Sequence, residues 1–343
     1  MRLLALCLTL TLALAAPAIA ADAKPPLRGL ISMGAYKFVS EGGEPVNTLA
    51  PLTAKPGIFG GIAIIASWNA LQPTEGAAIP GNNAVDQALA DVRAYNAANP
   101  GKPLGVKLRI WSGFMAPQWA MALGGAPIAV TDGTTPRQLG RFWSADYRKA
   151  WSDFQGLLAA RYDSEPLIQE VSVTSCMTLT AEPFFLSTDA AVQTPIRAAG
   201  FTDAGYQDCL TNAVADYAPW QASRIVLAVN PFRAAVGEGN GDATFTEGVM
   251  QACRKALGAR CVFDNHDLDS PPLAAIRPIY AAMQKLGPEI EFQTYRETPA
   301  DFEGTIKEGI ALGASSIELW QDYKGFPLVP DATLKAWAAL FPQ

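Results

Sequence analysis

The chain of 343 residues has a single histidine, no Cys-x-x-Cys pair and no cluster of lysine and arginine. Beyond its first twenty residues it also has no apolar run long enough to span a bilayer. Each absence excludes something. One imidazole without paired thiolates is a poor basis for a zinc site. Singly scattered basic residues in a chain of formal charge −6 cannot build the phosphate-neutralising patch that nucleic acid or an anionic membrane requires. The stretch after the first strand candidate, "SMGAYKFVSEGGEP", lacks G-x-G-x-x-G, and Gly42-Gly43 reads as a turn. An open doubly wound sheet would carry its phosphate loop there. No long polar linker divides the chain.

What is present begins with "MRLLALCLTLTLALAAPAIA", an early arginine, an uncharged Leu/Ala run and a small-residue ending. Residues 1–20 therefore read as a secretory signal peptide, and residues 21–343 as one mature domain in a secreted or periplasmic protein. Cys7 leaves with the leader. The remaining Cys176, Cys209, Cys253 and Cys261 are an even set in an oxidising compartment, which suggests two disulfides. Of three pairings, short spacing favours Cys253–Cys261 with Cys176–Cys209.

Apolar β-type runs alternate with amphipathic stretches along the mature chain. The strand candidates are Arg28–Ala35, Gly61–Ala66, Gly105–Trp111, Gln169–Ser175, Arg224–Val229, Arg260–Asn265, Glu289–Thr294 and Ser315–Trp320. Helical patterns cover Ala84–Ala98, Ala145–Arg161, Asp203–Tyr217, Phe245–Leu257, Pro272–Leu286, Ala300–Leu312 and Ala332–Leu340, with a weak one at Asn47–Lys55. Eight βα repeats predict an α/β fold, a single-domain (β/α)8 TIM barrel. Chemistry in such a barrel sits where the strands end.

The strand ends carry the candidates. "SWNALQPTEG" brings Trp68 as a sugar platform or a core residue, with Glu75 in the turn. In "VKLRIWSGFMAPQW", Lys107, Arg109 and Trp111 alternate inward, and two buried cations need carboxylate partners. "VTSCMTLTAEPFF" delivers Glu182, eight residues past Thr174. "LAVNPFR" places Asn230 at the rim, and "CVFDNHDLD" gathers Asp264, Asn265, His266 and Asp267. His266 has no serine or cysteine partner of the triad kind. It reads as a ligand contact or a structural residue. "EIEFQTYRE" sends Glu291, Gln293 and Tyr295 inward; "SSIELWQDY" sends Ser316, Glu318 and Trp320 inward, with Glu318 placed to pair with Arg109 or to act on substrate.

These blocks resemble the superfamily of retaining (β/α)8 glycoside hydrolases that includes β-galactosidases and cellulases. The resemblance rests on "SWNALQPTEG", Trp111 to Trp119, "AEP" after strand four and Trp320 after strand eight. The chain is also similar to a group of secreted bacterial proteins sharing "GRFW", "AEPF" and "IELW". The resemblance implies an acid/base glutamate after strand four, usually preceded by asparagine, and a nucleophilic glutamate ending strand seven. Glu182 matches the first, with Ala181 in place of the asparagine. Gln293 stands at the second, and an amide cannot form a glycosyl ester.

The resulting expectation is a glycoside hydrolase acting on an oligo- or polysaccharide, monomeric and without cofactor or metal. Glu182, beside Pro183, Phe184 and Phe185, would be the general acid with a raised pKa, and Glu318, near Arg109, the ionised second carboxylate. Glu291 or Glu297 would replace Glu318 if the strand register differs. Trp68, Trp111 and Trp320 would be sugar platforms; Arg109, Asn230, Asp264, His266 and Gln293 would be polar contacts. The alternative is a barrel that binds saccharide without cleaving it.

Overall fold

A computed structural model describes residues 23–33, 52, 55–233, 241–296, 299–320 and 329–341. The leader, most of the weak Asn47–Lys55 pattern, Gly42-Gly43 and Glu297 lie outside the described residues. Eight parallel strands close a barrel: β1 (Gly29–Ser32), β2 (Phe59–Ser67), β3 (Gly105–Trp111), β6 (Ile168–Ser172), β7 (Arg224–Ala228), β8 (Cys261–Leu268), β9 (Ile290–Thr294) and β10 (Ser316–Leu319). Each pairs with its neighbour around the ring, and β10 closes on β1 through Gly29↔Ser316 to Ser32↔Leu319. Each candidate run contains or overlaps one of these strands.

The helices form because apolar side chains recur on one stripe. In Ala145–Tyr162 the buried set Tyr147, Trp151, Phe154, Leu158 and Tyr162 follows the 3.6-residue period, and the Ser144 hydroxyl accepts from Tyr147 N–H to start it. Ala84–Ala98 opens on a capping box between Asn83 and Asp86. The helix expected from Pro272 starts at Arg277, after the cis Ser270-Pro271 bond.

Besides the single-turn helices Trp68–Leu71 and Gln118–Met121, two larger features among the described residues were not foreseen. An antiparallel hairpin, β4 (Ile128–Asp132) with β5 (Thr135–Leu139), follows β3, and a helix spans Ala190–Ala198 against β4 despite Pro195 within it. The hairpin had a legible signal. Asp132-Gly133 is a turn dipeptide between alternating residues, and Gly133, at φ +59°, takes the first central position of the two-residue loop.

Cysteine sulfurs lie at bonding distance in the pairs Cys176–Cys209 and Cys253–Cys261. The first ties the segment after β6 to the helix Asp203–Asn212; the second ties the helix Ala243–Leu257 to the start of β8. No helix among the described residues is long and apolar enough to cross a membrane.

Candidate active site at the mouth of the barrel

The bore of the barrel is ionic. Lys107, fully buried on β3, has its ammonium 2.7 Å from Glu291, 3.4 Å from Glu318 and 3.6 Å from Asp264. Burial alone would lower its pKa, yet these carboxylates and Glu170 raise it, so it stays charged. One turn of the pleat nearer the mouth, Arg109 makes a bidentate pair with Glu318, Nη1 to Oε1 at 2.8 Å and Nη2 to Oε2 at 2.9 Å. Burial opposes ionisation of Glu318, but Arg109 and Lys107 outweigh it and depress its pKa. Trp320 Nε1 can only donate and the Glu318 oxygens can only accept. Gln293 is therefore oriented with its nitrogen 3.1 Å from Glu318 Oε1 and its oxygen 3.0 Å from Trp320 Nε1.

The segment carrying Glu182 leaves β6 under several restraints. Val173 N–H still bonds to Val226 O, but Thr174 N–H turns to Tyr217 Oη at 2.8 Å, which ends the strand before Ser175. Ser112 Oγ donates to Thr174 O, Phe114 N–H to Thr178 O and Tyr206 Oη to Pro183 O. Gly113 is required at the crossing: its φ is +51°, and an added Cβ would stand 2.1 Å from Thr178 O. Cys176, at φ +63°, is held by its disulfide. Loop length alone gave no hint of this pinning.

Glu182 emerges at the mouth with 17% of its side chain exposed. Its Oε2 accepts from Asn230 Nδ2 at 3.0 Å, and its Oε1 lies 3.3 Å from His266 Nδ1. Asn230 cannot turn over, because its own oxygen accepts from Asn265 Nδ2 at 2.9 Å. Asn265 is fixed in turn by Asp267 N–H and Tyr280 Oη, both of which reach its oxygen. His266 Nε2 meets Asp264 Oδ2 at 3.2 Å. Burial would lower the pKa of His266, but Asp264 and Glu182 on its two sides push it up to about 10. The imidazole is thus a cation at neutral pH, bridging the ionic bore to Glu182. Asp264 is held well below the usual carboxylate range: burial acts against this, and Lys107 and His266 overcome it.

These positions correct several expectations. Trp68 is fully buried, stacked on Phe154 at 5.4 Å and edge-on to Trp119, Tyr147 and Trp151, with Nε1 bonded to Gln72 Oε1. It is core and offers no face to a sugar. Glu318 is buried with both oxygens on Arg109, so it has no open side for substrate or water. Arg109, Asp264 and His266 are buried within ion pairs and support the mouth rather than line it. Glu182 was expected among apolar neighbours; Asn230 and His266 surround it instead, and Phe185 points to solvent at 43% exposure. Gln293 is buried between Glu318 and Trp320. Trp111 and Trp320 are half-buried, and Trp111 stands edge-on to Phe114 at 5.8 Å.

Two hollows are open nearby. One of about 280 Å³ is lined by Phe184, Asn230, Arg233, Asp267, Ile276 and Tyr295 among others. The larger, about 700 Å³, lies between the hairpin and the Ala190–Ala198 helix and has no carboxylate in its lining. Arg137 lies over the Phe114 ring there, 4.4 Å from its centroid. No group of three or more His, Cys, Asp or Glu among the described residues could hold a metal ion.

The closed parallel (β/α)8 barrel is also the fold of the solved structures to which the chain is similar. The chain is similar to endo-glycoceramidase II from Rhodococcus sp. in its cellobiose-like imidazole complex, at 14% identity and TM-score 0.55, covering 90% of this chain and 78% of that one. It is similar to the β-galactosidase of the psychrophilic Marinomonas ef1 at 13% identity and TM-score 0.53, covering 91% of this chain and 58% of that enzyme. XacCel5A matches at 12% identity and TM-score 0.51, over 91% of this chain and 99% of that one. At such identity these likenesses describe the fold. No family model matches the chain, and no curated protein does.

Proposed function

We propose that the protein is a secreted or periplasmic glycoside hydrolase that cleaves a bond in an oligo- or polysaccharide, with Glu182 moving a proton at the scissile bond. The observation that carries this is Glu182 itself: a partly exposed carboxyl after the fourth barrel strand, aimed by Asn230 and His266. Catalytic carboxyls act from fixed positions in partly dry clefts. Trp111 and Trp320 border the mouth as platforms for sugar rings. The fold neighbours are carbohydrate enzymes, and two disulfides suit an oxidising compartment.

A second reading, saccharide binding without cleavage, is favoured by Gln293 on the seventh barrel strand and by the closed Arg109–Glu318 pair. Reducing-end release from a panel of polysaccharides, measured beside calorimetric binding, separates the two. Release by the native protein that falls at least 100-fold in Glu182→Gln supports hydrolysis. Binding with no release by either protein supports the second reading, and release unaffected by the substitution removes Glu182 from the site.

A further inference from the structure

The closed Arg109–Glu318 pair leaves Glu182 without the partner that hydrolysis needs. The only histidine and the residue after it lie on a bulge. Asn265 pairs with Phe292 and Leu268 with Thr294, so three steps along β8 span two along β9. A bulge re-aims side chains that strict alternation would send to opposite faces. Here Asp264 points into the bore at Lys107, His266 reaches both Asp264 and Glu182, and Asp267 lines the 280 Å³ hollow beside Asn230, whose amide holds Glu182. Asp267 N–H bonds to Asn265, while its carboxyl makes no hydrogen bond among the described residues.

We propose that Asp267 is the second carboxyl of the site, donating a proton to the leaving oxygen while Glu182 takes one from the attacking water. This rests on the hydrolase reading above. As the bond between the anomeric carbon and the leaving oxygen breaks, the Asp267 proton passes to that oxygen. Water bonds to the anomeric carbon and gives its proton to Glu182. Exchange with solvent returns both carboxyls to their starting states, for a net consumption of one water.

The surroundings divide the two roles in this sense and reverse the one expected for Glu182. Both Glu182 oxygens face N–H groups, those of Asn230 and His266, the setting of an acceptor. Burial, then the nearby Glu182 carboxylate, pushes the Asp267 pKa up to about 6, against the opposing charges of His266 and Arg233. The Tyr280 hydroxyl, on the helix Arg277–Leu286, is directed to Asn265 Oδ1, and its own pKa is raised by burial and then by the Asp267 charge. Asp267 therefore holds a proton in mildly acidic conditions and loses it as pH rises through about 6.

The test uses the full mature chain and two kinds of substrate, 2,4-dinitrophenyl β-glucoside and β-galactoside and the unactivated cello-oligosaccharides and lactose. A dinitrophenolate leaves without a proton; a sugar alkoxide does not. Asp267→Asn is expected to lose about 10²–10⁴-fold on the oligosaccharides, under tenfold on the dinitrophenyl glycosides, and the alkaline fall of kcat/KM near pH 6. Asp267→Glu is to recover part of the oligosaccharide rate. Equal losses on both substrates in an Asn variant with native unfolding midpoint would mean a structural role, and an unchanged rate and pH profile would mean none. Either overturns the proposal while leaving hydrolysis standing. If the native protein cleaves neither kind, the hydrolase reading fails and this inference with it.

Discussion

Replacing Lys107 by methionine removes the ammonium that Glu291, Glu318 and Asp264 share in the bore. At an effective dielectric constant of 20, separations of 2.7, 3.4 and 3.6 Å correspond to gross attractions of about 6, 5 and 5 kcal/mol. The ammonium's own desolvation and the mutual repulsion of the carboxylates offset most of this. The expected net destabilisation is about 3–5 kcal/mol at pH 7, as when one partner of a buried pair is removed. For a chain this long that is a fall in unfolding temperature of about 4–7 °C. The sign with pH is definite. Native Asp264 and Glu318 have depressed pKa values, so they stabilise above the unfolded carboxylate pKa and lose that contribution as pH falls. Without Lys107 they take up protons more readily, and the gap between variant and native protein should narrow between pH 7 and pH 4. Urea titration at several pH values reads this as a shift in midpoint at constant slope. Lys107→Met/Glu291→Gln should recover part of the loss. A variant within about 1 kcal/mol of native at pH 7, or a gap that widens in acid, would refute the reasoning.

Two further outcomes follow from the same structure. The His266 pKa is raised from 6.5 to about 10, so its contribution is complete below pH 6.5 and lost as pH rises to about 10; the upper limit is about 5 kcal/mol, shared with the Asp264 contact. Stability of the native protein should fall across that window and that of His266→Gln should not, as followed by chemical unfolding. The Cys176–Cys209 bond closes a separation of 33 residues, and replacing both cysteines by serine should destabilise by about 4 kcal/mol in the chain-entropy account. Because that bond anchors the Glu182 segment, hydrolysis should fall even at temperatures where the variant is fully folded.

The barrel was legible because its strands are short apolar runs separated by helical periods, and β3 matches residue for residue. Alternation also placed Lys107, Arg109, Glu291 and Glu318 inward and foresaw the need for pairing. What alternation could not supply is which inward groups saturate one another. Glu318 looked available until Arg109 was found on both its oxygens. Trp68 follows a strand end, but whether an aromatic there stacks on ligand or on core depends on partners as distant in sequence as Trp151 and Phe154. Asp267 was grouped with Asp264, Asn265 and His266 but given no role, because a bulge leaves no mark on an alternating pattern. The hairpin after β3 was readable from Asp132-Gly133 and was missed among the helical periods on either side.

The most direct measurement is a crystal structure of Glu182→Gln soaked with an oligosaccharide that the native protein cleaves. The residue-182 amide should lie within hydrogen-bond reach of a water beside the anomeric carbon, with the glycosidic oxygen toward Asp267 and sugar rings against Trp111 or Trp320. A saccharide bound only in the hollow beneath the hairpin, or with its glycosidic bond remote from position 182, would contradict the assignment of this mouth as the active site.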